Sequence, residues 1–327
     1  MSQIEAATLE LMVARRAREA EGIDSFELVH PEGASLPSFT AGAHIVVDIL
    51  PGLSRAYSLC NDPVERHRYL IAVLLSDDSR GGSAAMHETL VPGRLIRVSV
   101  PRNEFELVRS AGRSLLVAGG IGITPLLAMA ETQTTAGAEF ELHYCSRRPE
   151  KTAFLSRIHG SRFSARSHIY HDSGPEALQF DAREVLTGRD SDTHVYVCGP
   201  AGFIDHVLST AKSLGWDEHR LHREFFTAPI SDADEARSDS SFDLVLASSG
   251  KRVHVPCGMS AAAALLEAGI PLSMSCEQGI CGTCVTTVLD GTPDHRDHYL
   301  TEEDRARNDC FMPCCSRAQT SELLLDL

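Results

Sequence analysis

Cys276-Glu-Gln-Gly-Ile-Cys281-Gly-Thr-Cys284 sets three cysteines in the spacing C-x4-C-x2-C, and Cys314 follows after 29 intervening residues. This is the spacing of plant-type [2Fe–2S] centres. Two irons need four thiolates, and a short loop must wrap three of them around a compact cluster. Gly279 and Gly282 let the backbone turn tightly and bring amide N–H groups towards the sulfurs. A structural zinc site would usually show two C-x2-C pairs, and here only Cys281 and Cys284 make one. Cys315 adjoins Cys314 and is the other candidate for fourth ligand. Neighbouring side chains on a strand point to opposite faces, so only one can serve, and Cys314 is chosen. Cys60, Cys145, Cys257 and Cys310 read as small buried hydrophobes.

Around this loop the tail reads as an α+β unit. Strands are expected at Phe242–Leu246, Lys251–Val255, Val285–Leu289 and around Leu323–Leu327, with an Ala-rich helix at Ser260–Ala268. The polar, acidic stretch Ala228–Ser241 precedes it as a solvated linker. A softer boundary lies near Glu106–Arg113. Between the two boundaries, strand-like runs (Ser114–Ala118, Glu139–Cys145, His168–His171, His194–Cys198) alternate with helix-like ones (Pro125–Thr132, Gly202–Leu214), the pattern of a parallel sheet covered by helices. Ahead of the softer boundary, His44–Ile49, Tyr57–Leu59, Tyr69–Leu75 and Leu95–Val100 are short runs punctuated by Pro and Gly, which suggests an antiparallel barrel. Ala14–Glu21 looks helical by propensity, yet Leu9–Val13 and Ser25–Val29 bracket it like a hairpin, and the hairpin is favoured.

A chain of 327 residues suits two or three domains. The net charge is −15, and the basic residues are arginines apart from Lys151, Lys212 and Lys251, with no basic run. Nucleic acid and acidic membrane surfaces are therefore poor partners. Met1–Thr8 carries Glu5 and no apolar core, so no signal peptide is expected. Ser114–Ala130 is uncharged but short and broken by Gly and Pro, so it reads as strand, loop and helix start rather than a membrane span. Ten cysteines without an export signal point to a metal or redox role in a reducing cytoplasm.

Three further segments carry chemistry. Val117-Ala-Gly-Gly-Ile-Gly-Ile-Thr-Pro125 is a strand, a glycine turn and a helix start, with Thr124 as N-cap and Pro125 in the first helical position. Its glycines Gly119, Gly120 and Gly122 would admit a phosphate to the helix N-terminus, although their spacing is not G-x-G-x-x-G. Tyr196-Val-Cys-Gly-Pro200, with Cys198, Gly199 and Pro200, is a second strand ending in a turn before a helix. Ser146, Arg147 and Arg148 follow a third strand and could meet ribose or phosphate. At the carboxyl ends of a parallel sheet these turns would converge. In the barrel, Arg55-Ala56-Tyr57-Ser58 offers a phosphate grip, an aromatic ring and a hydroxyl, which suits a flavin. Arg80-Gly81-Gly82-Ser83 is a second phosphate cradle.

In this order, R-x-Y-S, G-G-S, G-G-x-G-I-T-P, C-S-R, C-G-P, E-x-F (Glu224–Phe226) and the cysteine loop resemble the ferredoxin–NADP reductase superfamily. More narrowly, they are similar to its phthalate dioxygenase reductase-like branch, along nearly the whole chain. The resemblance implies an antiparallel flavin barrel (1–107), an α/β nucleotide domain (108–229), a linker (230–241) and a β-grasp ferredoxin-like domain (242–327). Because the ferredoxin domain is C-terminal, it implies FMN rather than FAD, with Gly81–Ser83 capping the phosphate. It implies NADH as reductant, Thr124 near the flavin, Cys198 approaching the nicotinamide and Phe226 packing by the flavin. A Rieske non-haem iron oxygenase is the implied electron acceptor. The acidic residues Asp294, Asp297, Glu302, Glu303 and Asp304 are read as its docking surface. The alternatives are an FAD- and NADPH-dependent reductase serving a cytochrome P450, and a non-enzymatic iron–sulfur carrier.

Overall fold

The computed structural model describes residues 8–76, 81–108, 111–173, 178–226, 240–274 and 276–327. Arg80 and most of the acidic linker lie outside the described residues. The chain divides into two compact units, Met1–Phe226 and Thr227–Leu327.

The first unit opens with strands β1 (Thr8–Ala20), β2 (Ile23–Val29), β3 (Ala43–Leu50), β4 (Leu53–Ser58) and β5 (Tyr69–Leu74). Helix α1 (Gly82–Thr89), β6 (Leu95–Ser99) and β7 (Arg102–Asn103) follow. The sheet runs β4-β3-β6-β1-β2-β5, with β7 against β3, and every pairing is antiparallel. The opening hairpin holds, and Ala14–Ala20 is strand rather than helix. Across the turn Arg16 pairs with Phe26 and Ala20 with Ile23. Long-range pairing has overridden local propensity there. Leu11, Val13, Phe26, Leu28, Ile45, Val47 and Ile71 fill the barrel.

A parallel sheet follows: β8 (Arg113–Gly119), α2 (Ile123–Ala136), β9 (Glu139–Ser146), α3 (Leu155–His159), β10 (Ser167–His171), α4 (Ala182–Leu186), β11 (Thr193–Gly199), α5 (Ala201–Ser213) and β12 (Leu221–Phe225). Strand order is β10-β9-β8-β11-β12. Strand alternation splits each central strand between two cores. Leu116, Ala118, Tyr196 and Cys198 face α2, whereas Leu115, Val117, Val195 and Val197 face α4 and α5. The α2 core also takes in Ala41, Cys60, Ala72 and Phe105 of the barrel region, so barrel and parallel sheet pack as one body.

The second unit contains β13 (Phe242–Leu246), β14 (Arg252–Val255), α6 (Ala261–Glu267), β15 (Thr286–Asp290), β16 (Pro293–Asp294), α7 (Glu302–Arg307), β17 (Cys310–Phe311), β18 (Arg317–Ala318) and β19 (Glu322–Leu325). Its main sheet is β14-β13-β19-β15-β17, and α6 packs on it through Ala261, Ala264 and Leu265. Ser260 caps α6 by accepting the Ala263 N–H. Among the described residues, no helix is long and apolar enough to cross a membrane.

Candidate flavin, nucleotide and cluster sites

Strand β4 carries Arg55, Ala56, Tyr57 and Ser58 to one end of the barrel, against the start of α1. Gly81 precedes the helix in the left-handed region (φ 81°), and no side chain caps the first N–H groups. Arg55 lies along this terminus: a Cβ on Gly82 would stand 3.0 Å from its Cγ and 3.2 Å from its Nε. Ser83 is occupied locally, its Oγ accepting the Ser76 N–H. A guanidinium beside an uncapped helix start fits a single phosphate. Burial pushes the Tyr57 phenol above its ordinary value, against the opposing pull of Arg55.

The nucleotide turns meet backbone to backbone. A Cβ on Gly122 would fall 2.2 Å from the Cys198 carbonyl oxygen, and one on Gly199 would fall 2.9 Å from the Gly119 Cα. Gly119 is hemmed by Pro200 and the Phe203 ring. Both following helices, α2 and α5, lack side-chain caps, and the Ile123 N–H at the start of α2 is bonded within the preceding turn, to the Gly120 carbonyl. Thr124 is not the N-cap. A 3-10 turn at Gly120–Gly122 runs straight into α2, so Gly122 occupies the cap and Thr124 lies inside the helix, donating to the Ile121 carbonyl (3.1 Å). Pro125 falls in the first turn, where no N–H is required.

Ser146 is buried and shares a hydrogen bond with Thr152 (2.6 Å), while Arg147 is exposed. Arg148 instead pairs with Glu21 of the barrel (3.2 Å). Phe226, 37% exposed, is the last described residue of the first unit.

The sheet also gives a place to a residue that the sequence reading named in the E-x-F motif without a role. Glu224, at the end of β12, accepts a hydrogen bond from the Ser58 hydroxyl (3.3 Å), 166 residues away, and lies by the buried Cys198. Burial raises its carboxyl to about 8, the Ser58 bond pulling the other way. The Cys198 thiol is also pushed up, by burial and then by Glu224. Ser58, Cys198 and Glu224 thus form a neutral polar group at pH 7. The native carboxyl holds its proton in a range where the unfolded one has lost it, so stability falls as pH rises from about 4.5 to 8. Glu224→Gln should remove that fall, read as a flatter melting temperature between pH 5 and 9. Parallel curves for the two proteins would contradict the assignment.

In the second unit the four predicted cysteines converge. Their thiols contact one another in the pairs Cys276–Cys281 and Cys284–Cys314, with a further contact between Cys276 and Cys314. Pairs suit a binuclear cluster, in which each iron takes two thiolates. Gly279 and Gly282 both have positive φ (72° and 70°), as the turn requires. The Gln278 N–H points to the Cys276 sulfur (3.3 Å).

Two expectations are corrected here. Cys314 and Cys315 sit in a turn, not a strand, so alternation does not separate them. Asp297 is not on the surface. Its carboxylate is buried, accepts the Tyr299 and Leu300 N–H groups, and faces Arg305. Asp304 caps α7 and binds Arg307, and Asp294 binds Arg296. Glu302 and Glu303 remain exposed.

A barrel with a phosphate cradle, a parallel sheet with nucleotide turns and a four-thiol loop define a flavin- and iron–sulfur-dependent reductase. Residues 245–319 match the 2Fe-2S iron-sulfur cluster binding domain family. Residues 95–221 match the family described as dimethylamine monooxygenase subunit DmmA-like, N-terminal domain. The vanillate O-demethylase oxidoreductase of Pseudomonas putida is 51% identical over 98% of this chain and 100% of its own. Phthalate dioxygenase reductase, whose solved structure is described as modular for electron transfer from pyridine nucleotides to [2Fe–2S], has a TM-score of 0.76 at 39% identity, covering 99% of both chains. A type IV self-sufficient cytochrome P450 monooxygenase has a TM-score of 0.85 at 38% identity, covering 98% of this chain and 41% of that one. The chain belongs to the phthalate dioxygenase reductase-like family. It is an NAD(P)H-dependent oxidoreductase of the oxygenase-reductase type, and its cofactors are FMN and a [2Fe–2S] cluster.

Proposed function

We propose that this chain is the cytoplasmic reductase of a Rieske non-haem iron oxygenase acting on a small aromatic substrate, as an O-demethylase does. The observation that carries the reading is the pairing of a complete four-thiol loop with the Ser58–Glu224–Cys198 group on the same chain. The full-length likeness to a vanillate O-demethylase oxidoreductase supports the demethylase side. The P450 alternative has the weaker support, because there the likeness is to part of a much longer fused chain. A lone electron carrier would have no use for the barrel or the nucleotide turns.

A flavin held here would supply the exchange between two-electron hydride chemistry with a nicotinamide and one-electron transfer to an iron–sulfur cluster. Arg55 and the start of α1, with Gly81, Gly82 and Ser83, would hold the FMN phosphate, and Ala56, Tyr57 and Ser58 would hold the rest of the flavin. The turns Gly119–Gly122 and Cys198–Pro200 would receive the dinucleotide, which would bring Thr124 near the flavin and Cys198 near the nicotinamide, with Phe226 packing by the flavin. Ser146 and Arg147 meet the adenosine end. Asp172 follows β10 and its N–H is bonded to the Ser146 carbonyl, so a carboxylate stands beside this turn. It favours a ribose diol over a 2′-phosphate, and hence NADH over NADPH. Cys276, Cys281, Cys284 and Cys314 hold the irons. Glu302 and Glu303 are the carboxylates left free for docking, where complementary charge would act mostly on association rate.

The test is flavin identity with nucleotide preference. Extracted flavin should be FMN, and kcat/KM should favour NADH by at least about tenfold, one hydrogen-bonding or charge mismatch in a ribose site. FAD, or a preference for NADPH, would overturn the reading.

A further inference from the structure

Five thiols, not four, gather at the cluster loop. Besides Cys276 and Cys284, Cys315 also touches the Cys314 sulfur. Both neighbours lie in the turn after β17 rather than in a strand. The Cys315 N–H is fixed to the Met312 carbonyl (3.2 Å), so the backbone is held. Its sulfur also makes long contacts of 3.8 Å to the Met312 carbonyl and the Ser316 hydroxyl. That sulfur fills the space where Gly279 lacks a side chain: a Cβ there would stand 2.4 Å away. Cys315 therefore packs into the ligand loop itself. It also joins Cys284, Met312 and Cys314 in the small buried core beneath the loop.

We propose that Cys315 is an alternate ligand of the [2Fe–2S] centre, held against the loop so that it closes the cluster when Cys314 is not available. The proposal rests on the cluster reading above. The exchange swaps one iron–sulfur bond for another. Cys315 gives up its thiol proton and the departing Cys314 thiolate takes one, so no oxidant or reductant is consumed.

Iron and sulfide analysis, with paramagnetic resonance of the chemically reduced full-length protein, tests it. Cys314→Ala should keep most of its iron but show an altered resonance spectrum. The Cys314→Ala/Cys315→Ala double variant and Cys281→Ala should each fall at least about tenfold in iron, as loss of a ligand demands. Cys314→Ala as empty as the double variant would overturn the proposal. If Cys314→Ala fails to fold, Cys315→Ala decides, because all four principal ligands remain. It should bind iron normally yet lose it to a chelator roughly tenfold faster, since an outer thiol no longer recaptures the opening iron. An unchanged rate of loss would overturn the proposal. An unsubstituted protein without iron would instead refute the cluster reading.

Discussion

Cys281→Ser should empty the cluster while the flavin stays bound and NADH still bleaches it. Reduction of a one-electron acceptor such as cytochrome c through the cluster should then fall by about two orders of magnitude, the upper range for loss of a metal-site group. Cys281 is in contact with Cys276, and its own sulfur points to the Thr283 hydroxyl (3.2 Å). A serine hydroxyl is a poor substitute, because the softer thiolate is what iron–sulfur centres select. The barrel and parallel sheet have their own cores, separate from that of the cluster unit. Loss of both cofactors together would show that the two units are not independent.

The second large effect falls on Gly122→Ala. The backbone there is ordinary right-handed helix (φ −62°), so conformational freedom is not why glycine is needed. Space is the reason. The new Cβ would meet the Cys198 carbonyl oxygen at 2.2 Å, its carbon at 2.4 Å and the Gly199 nitrogen at 2.7 Å, all main-chain atoms of an adjacent strand. None can move without prising β8 from β11. Overpacking of this kind costs about 3 kcal/mol, or a fall in melting temperature of roughly 6–12 °C for a unit of this size. NADH binding should weaken as the turns separate. Gly120→Ala is the contrasting control. Gly120 has φ 54° but nothing within 4 Å of its would-be Cβ, so the change costs only about 1–2 kcal/mol of backbone strain. Equal losses in the two variants would contradict the packing account.

Much of this was legible in the sequence, for a common physical reason. The cysteine loop, the glycine turns and the strand runs are local patterns, and the spacing of a few neighbours carries their chemistry. Missed features depend on distant chain. Glu224 stands in the E-x-F motif, but its raised affinity for a proton comes from burial, against the pull of the Ser58 hydrogen bond, and only strand pairing buries it there. Asp297 looks like one more surface carboxylate until the Tyr299 and Leu300 amides fold onto it. Arg148 could meet phosphate by its position after β9, but Glu21 of the first hairpin faces it. The Thr124 cap and the Cys314–Cys315 alternation failed differently. The first set the helix start two residues too late, and the second assumed a strand where the chain turns.

Anaerobic addition of NADH to the purified protein, followed by paramagnetic resonance and absorbance together, tests the central claim most directly. The account predicts bleaching of bound FMN and the appearance of the reduced [2Fe–2S] signal within the same sample, with no other protein added. A bleached flavin beside a cluster that stays oxidised, or a protein without flavin, would contradict it.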